Sequence, residues 1–392
     1  YEDAVLVLKQ CTKKYPMLYY YAAYYEEKMG EDDAVKKSLE KAESCAFDYC
    51  FPNKLDDIAV LTFAIENGCK KKAPYYLGNL FYDKLQWKKS VELWEMSEKA
   101  DDTFSIVHRN LALAYYNKMG DSKAAKRELE KAFSLNRKDA RIFLELDQLY
   151  KKLGYSFKER LAKYDEDPSL AESRDDLYIE YITLMNMCGE YERAYRCIMG
   201  RRFHPWEGGE GKITTQYTIS LLEMAKQCLA SEKYEQAEKL LKKALVYPEN
   251  LGEGKLEGTK DNHLFYHLGL ALEAQGKHDE AKTCFETATI GTDEPAGAMY
   301  YNDQPADMIL YQGLAFEKLG KTREAKSRFY RLIDYGEQHL NDEGKIEYFA
   351  VSLPDFLIFD EDYTKKNRAH CCYLMALGNI GLQNREKAAE FL

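Results

Sequence analysis

Between two helical segments, Arg201-Arg202-Phe203-His204-Pro205-Trp206-Glu207-Gly208-Gly209-Glu210-Gly211-Lys212 gathers two arginines, a histidine, a tryptophan and two glutamates in a glycine-rich break. No other stretch is so dense in groups that bind or react. A flat indole beside carboxylates and guanidinium groups is the composition of a surface that takes a sugar or a carboxylate. The ring offers an apolar face and the charges offer directed hydrogen bonds. Glu207 and Glu210 also form a carboxylate pair of the kind that cleaves glycosides. Two carboxylates three residues apart in a loop fix no geometry, however. A binding edge of Arg202, His204, Trp206, Glu207, Glu210 and Lys212 is a better reading than catalysis, and a Trp206 wedged under the next helix pair stands beside it as the structural reading.

The tetrapeptide Gly209-Glu210-Gly211-Lys212 recurs as Gly252-Glu253-Gly254-Lys255. Gly211 lies 17 residues past Ala194, and Gly254 lies 17 past Ala237. A third copy, Glu343-Gly344-Lys345, follows Ala325, whereas the loop before it has Pro295-Ala-Gly297-Ala-Met-Tyr300-Tyr301. Either each Gly supplies a left-handed turn with local Glu and Lys pairing, or the loops share one edge and Glu253 and Lys255 join the binding residues. They are not phosphate-cradling loops, because the GxxxxGK[ST] spacing and its preceding strand are missing. His370-Cys371-Cys372 occupies one helix turn and cannot close a tetrahedral site by itself. His108 falls at an aromatic position of the helical pattern and reads as a packed core histidine. No catalytic constellation assembles, and neither metal nor cofactor is implied.

The elements that position these loops follow a repeated helical pattern. Phe265-x-x-Leu268-Gly269-x-x-Leu272-x-x-x-Gly276 is followed by Ala281, Phe285 and Ala288. Ile309, Gly313, Phe316, Gly320, Ala325, Phe329 and Leu332 repeat the spacings. Apolar residues three and four apart make two amphipathic helices, with a Gly ending the first. Small residues stand where the paired helices cross closely. Related units run through Tyr19/Ala23/Gly30/Val35, Leu77/Gly78/Phe81/Ser90/Trp94, Leu111/Ala112/Tyr115/Ala125/Leu129, Tyr178/Met185/Gly189/Ala194/Ile198, Leu221/Ala225/Cys228/Ala237/Leu241 and Met375/Ala376/Ala388. The unit from Phe143 to Gly154 has an irregular second helix. Tyr115-Tyr116 adds one residue before Gly120.

These residues resemble tetratricopeptide repeats, helix–turn–helix units of about 34 residues. The resemblance covers nearly the whole chain and implies an all-α, right-handed solenoid of about nine or ten helix pairs. Residues 1-200 keep mostly near the basic period, with one inserted helix at about 53-67, from an Asn53 cap to a Gly68 stop. Residues 201-392 have longer repeats, since Ala194, Ala237, Ala281 and Ala325 are 43 or 44 apart, and carry an insertion at 339-370. The apolar density of Glu347–Asp362 predicts that this insertion packs on one continuous solenoid. Both ends of the sequence fall inside a repeat, so an excised piece of a longer protein is expected.

Composition narrows the partners. Of 392 residues, 66 are acidic and 56 basic, giving a net charge of −10, and this disfavours a polyanionic partner such as nucleic acid. No apolar run approaches a membrane span and no export signal opens the sequence. Ten cysteines without a regular framework, among them Cys228 and Cys284 inside helices, read as buried reduced thiols and predict a cytoplasmic protein.

Tetratricopeptide proteins generally hold extended peptides against their first helices, and one variety clamps a C-terminal carboxylate with Lys, Asn and Arg. Asn79, Asn110 and Arg141 match that clamp in kind, but Tyr75 and Glu145 replace its first Lys and final Arg, which disfavours a chaperone-tail clamp. A groove for another peptide keeps Asn79, Tyr82, Arg109, Tyr116 and Asn117 as candidate contacts. Beyond the repeat, His204-Pro-Trp-Glu-Gly-Gly-Glu-Gly-Lys212, Tyr247–Lys255, Ala306–Gly313 and Tyr348–Phe356 resemble one group of large bacterial proteins. There a tetratricopeptide array follows an amino-terminal β-sandwich like those of carbohydrate-active enzymes. That resemblance implies such a domain as a partner and carbohydrate as a ligand. The function expected is a non-catalytic scaffold binding a protein segment or its own neighbouring domain through the concave face and the 201-213 edge. The alternative is an accessory part of a carbohydrate-active enzyme whose sugar site the 202-210 loop completes.

Overall fold

The computed structural model describes residues 1–206, 208–295, 304–344 and 358–392. Every regular element among them is helical, and they divide into two compact units, Tyr1–Tyr155 and Ser156–Leu392. The division falls inside the repeat whose second helix the sequence marks as irregular, whereas the lengthening of the period begins further along, at 201.

The first unit contains α1 (Glu2–Gln10), α2 (Pro16–Lys28), α3 (Asp32–Ser44), α4 (Leu55–Glu66), α5 (Lys72–Asp83), α6 (Trp87–Ala100), α7 (Ser105–Ala114), α8 (Ser122–Leu135) and α9 (Ala140–Lys152). Helices α2 and α3, α5 and α6, and α7 and α8 pack as hairpins. The extra residue at Tyr115-Tyr116 is absorbed as a π-helical turn, Tyr115–Met119, which ends at Gly120 with φ +67°. A π turn accommodates one inserted residue by widening the last turn of the helix.

The helix between α3 and α5 is α4, and its amino-terminal cap differs from the expected one. The Asp57 carboxylate reaches back and accepts hydrogen bonds from the Asn53 and Lys54 N–H groups, both at 2.9 Å. A carboxylate in the first turn satisfies donors that the helix cannot, and it also meets the positive end of the dipole. The Asn53 side chain is therefore not the cap.

The second unit contains α10 (Phe157–Asp165), α11 (Pro168–Glu172), α12 (Asp175–Met187), α13 (Tyr191–Met199), α14 (Lys212–Ala230), α15 (Tyr234–Ala244), α16 (Asn262–Ala274), α17 (His278–Ala288), α18 (Met308–Lys318), α19 (Thr322–His339), α20 (Tyr363–Gly381) and α21 (Arg385–Glu390). The expected insertion at 339-370 ends in the first turns of α20, and its residues 345–357 lie outside those described, as does the segment 296–303.

In three pairs, α5 with α6, α16 with α17 and α18 with α19, close approach rests on one steric device. A Cβ added at Gly78, Gly269 or Gly313 would stand 2.5, 2.5 or 2.3 Å from the ring of Trp94, Phe285 or Phe329. In all three cases the aromatic residue lies sixteen positions further on, in the second helix. Only a glycine lets the ring lie against the first-helix backbone. All ten cysteines are free thiols. Cys45, Cys50, Cys69 and Cys371 are buried, but Cys228 and Cys284 are half-buried and Cys11 is exposed, so burial is less general than expected.

Candidate functional site

The loop between α13 and α14 is clasped by the loop between α15 and α16. Asn250 donates through Nδ2 to the carbonyls of Ile198 and Arg201 at 2.8 and 3.0 Å, and its own carbonyl accepts from Phe203 N–H at 2.8 Å. Gly252, with φ +74°, brings the turn so close that an added Cβ would lie 2.5 Å from the Phe203 carbonyl oxygen. Phe203 is buried, and Arg201 stacks its guanidinium over Tyr178 while pairing with Asp175. This anchoring leaves Arg202 and His204 exposed on either side of a fixed Phe203, with His204 Nδ1 3.4 Å from an Asp175 carboxylate oxygen.

The two Gly-Glu-Gly-Lys copies share a register but have different structural roles. In the first, Gly211 is left-handed at φ +76° and starts α14, and Glu210 accepts from Gly208 N–H at 2.8 Å. In the second, Gly252 is the left-handed residue, and Glu253 crosses to accept from Gly211 N–H at 2.8 Å. Burial raises the Glu253 carboxyl pKa, the Gly211 N–H opposes the shift, and the Glu210 charge adds to it. Lys255 bonds Asp261 at 2.6 Å and the Leu245 carbonyl at 3.1 Å. Glu253 and Lys255 thus tie one loop to another within this chain. Trp206 is half-buried, with Gly209 against its ring and the Lys212 ammonium 5.7 Å from the ring centroid. Glu207 lies outside the described residues.

The first helices of the Tyr1–Tyr155 unit are joined by a ladder of side chains. Asn79 on α5 accepts from Trp94 Nε1 and from Asn110 Nδ2, each at 3.1 Å. Arg109 on α7 donates to Asn110 Oδ1 at 3.3 Å and grips Glu145 of α9 with two bonds, at 2.7 and 2.6 Å. Arg141 adds a third bond to Glu145 at 3.1 Å. Glu145 is fully buried, and such a carboxylate is tenable only with charged partners of this geometry. The residue that replaces the last arginine of a carboxylate clamp therefore takes up the arginines around it. The Tyr82 ring lies tilted 5.3 Å from that of Trp94, and Tyr116 and Asn117 stand on the π turn. In the other unit Asn186 of α12 donates to Gln216 Oε1 of α14 at 2.9 Å and accepts from Ser220 Oγ at 2.9 Å.

His108 is buried between acids. Nδ1 lies 2.7 Å from Glu128 Oε2 and Nε2 lies 3.0 Å from the Asp102 carbonyl. With Glu98 and Asp102 it forms a group whose ligand-type atoms lie within 4.8 Å of one another. Both imidazole nitrogens are already engaged, so the arrangement holds α7 against α8.

Sequence reasoning missed a cluster on α16 and α18. The Tyr311 ring is 5.9 Å from His263, 5.7 Å from His267 and 6.1 Å from Tyr266. The available signal was a recurrence at one helix register, His263-x-x-Tyr266 and His370-x-x-Tyr373, hidden because other helices separate the two copies.

A tetratricopeptide repeat family model matches residues 110–139 and 263–289, and a second one matches 307–335, so the chain carries tetratricopeptide repeats. Among solved structures it is similar to YrrB, described as a TPR protein with an unusual peptide-binding site, at 15% identity and TM-score 0.35, over 58% of this chain and 97% of that one. A tetratricopeptide repeat protein from Parabacteroides merdae is similar at 14% identity and TM-score 0.33, over 71% and 93%. The type IV pilus biogenesis factor PilW is similar at 14% identity and TM-score 0.32, over 59% and 92%. No described helix is long and apolar enough to cross a membrane.

Proposed function

We propose that the chain is a non-catalytic scaffold that binds an extended protein segment along its first helices. One observation carries the reading. Side chains bond directly from one first helix to the next, Asn79 to Asn110 and Arg109 to Glu145 in the first unit and Asn186 to Gln216 in the second, which gives neighbouring first helices a polar face tied at these points. Such a face matches a peptide because its hydrogen-bonding groups are held in place before binding, which lowers the ordering cost. Tyr82, Tyr116 and Asn117 are the contacts assigned to it in the first unit. Selection of a random peptide library on the whole chain tests this. The expected peptides bind more weakly to Tyr82→Ala and Asn117→Ala, and equally to Lys282→Ala on the exposed side of α17. Equal binding by all three variants would remove the first-helix face.

The 201-213 edge is assigned a second, interdomain role. Its support is the clasp that holds Phe203 and projects Arg202 and His204 outward from a fixed backbone. The occupant is the β-sandwich domain that the resemblance to large bacterial proteins implies. A sugar at Trp206 is less well supported, because Gly209 and Lys212 already contact that ring. Added as a separate domain, the β-sandwich is expected to bind the chain and to lose affinity for Arg202→Ala together with Trp206→Ala; unchanged affinity counts against the edge.

A further inference from the structure

The cluster on the first helices of the Ser156–Leu392 unit has a chemistry of its own. Asp307 stands one turn before Tyr311, so both lie on the same face at the start of α18. Tyr311 packs its ring among His263, Tyr266 and His267 of α16. Helix α20 lies against α18 and carries His370 and Tyr373, the latter exposed. Burial and the Asp307 charge push the Tyr373 hydroxyl up to about 12.

The charges around this group are unevenly matched. Glu223 on α14 is paired with Lys226 at 2.7 Å, and Glu273 on α16 is paired with Lys318 at 2.5 Å. Asp307 has no cationic partner among the described residues, and burial raises its carboxyl pKa while only the backbone N–H groups of Asp307 and Met308 oppose the shift. The imidazoles do not supply the missing charge. Burial lowers His263 to about 4, and it also lowers His267 and His370. Among the described residues, His263 Nδ1 is buried without a hydrogen-bond partner. Tyrosine rings, neutral imidazoles and a carboxylate with no cationic partner among the described residues together attract a cation, through the ring faces and through the charge.

We propose that Asp307, Tyr311 and Tyr373, walled by His263 and Tyr266, seat a lysine or arginine side chain of an extended protein segment lying along these first helices. The inference rests on the peptide-binding reading and adds the class of residue that the segment must carry. The acidic balance of the chain favours the same occupant at longer range.

The test uses peptides selected from a random library on the whole chain. They are expected to share a lysine or arginine at one fixed position, and replacing it with methionine should weaken binding roughly tenfold. Asp307→Asn should weaken binding by a similar factor, since its side chain makes no capping hydrogen bond and the variant is expected to keep the wild-type melting temperature. Tyr373→Ala, at an exposed position, is a second folded variant expected to weaken binding, while Tyr311→Phe keeps the ring and should bind as wild type. Peptides without a shared basic residue that still respond to Tyr82→Ala would leave the scaffold reading standing and overturn the seat. Wild-type affinity in Asp307→Asn would overturn it too. A library yielding no peptide at all contradicts both readings.

Discussion

Phe329 has no spare volume around its ring. It is fully buried, and a Cβ added at Gly313 or at Gly381 would stand 2.3 or 2.2 Å from its atoms. Overpacking of this kind typically costs about 1–3 kcal/mol. Gly313→Ala is therefore expected to lower the denaturant midpoint by an amount in that range, and Gly313→Ala with Phe329→Leu should recover part of the loss. An unchanged midpoint in the single variant would show that the ring can move aside. His108 makes stability depend on pH. Burial opposes its charged form, but hydrogen bonds to Glu128 and to the Asp102 carbonyl outweigh burial and raise its pKa above the usual 6.5. A group raised on folding stabilises fully below its unfolded value and loses that contribution as pH rises through the folded one. Burial also opposes the charged form of Glu128, and its bonds to His108 and Arg127 outweigh it, so its pKa is lowered and its contribution is lost as pH falls below 4.5. Glu98, raised by burial and by Glu128, offsets part of that acid loss. Melting temperature against pH should thus fall on the alkaline side of 6.5 for the wild type, and His108→Gln should flatten that limb. An equal slope in the variant contradicts the pairing.

At the scale of elements, the clasp between loops makes the sharpest prediction. Asn250→Ala removes both donors that satisfy the Ile198 and Arg201 carbonyls, and half-buried acceptors left unpaired cost about 1–3 kcal/mol each. The α13–α14 loop should then exchange its amide hydrogens faster at Phe203 and Gly211 than at α14, and protection equal to wild type would refute the clasp. The helices themselves were legible in the sequence. Gly, small residue and aromatic recur at fixed offsets, and the one residue added before Gly120 marked a change of register, though not that a π turn takes it up. Partnerships between distant loops were not. Nothing local distinguishes the Glu253 carboxylate, which crosses to Gly211, from the Glu210 carboxylate, which turns back to Gly208, because the tetrapeptides are identical. The Asp57 cap escaped notice for a related reason: Asn53 is also a good capping residue, and local sequence does not say which of the two reaches the free N–H groups. The Arg109–Glu145 pair and the Tyr311 cluster likewise join residues that are neighbours only after the repeats stack.

At the scale of the whole chain, the division at Tyr155 and Ser156 predicts separable folding. A fragment of residues 1–155 holds its own buried core, from Met17 and Tyr20 to Leu111 and Ala114. It should show cooperative unfolding by circular dichroism, and Gly78→Leu should abolish that transition by driving a side chain into Trp94. A fragment without a cooperative transition would mean that the two units fold only together. The central claim is that extended segments bind along the first helices, and hydrogen exchange of the whole chain with a library-selected peptide tests it most directly. Added protection is expected on α5, α7 and the π turn, or on α14, α16, α18 and α20 when the peptide carries the basic residue. Protection confined to second helices such as α15 and α17, or to none, contradicts it.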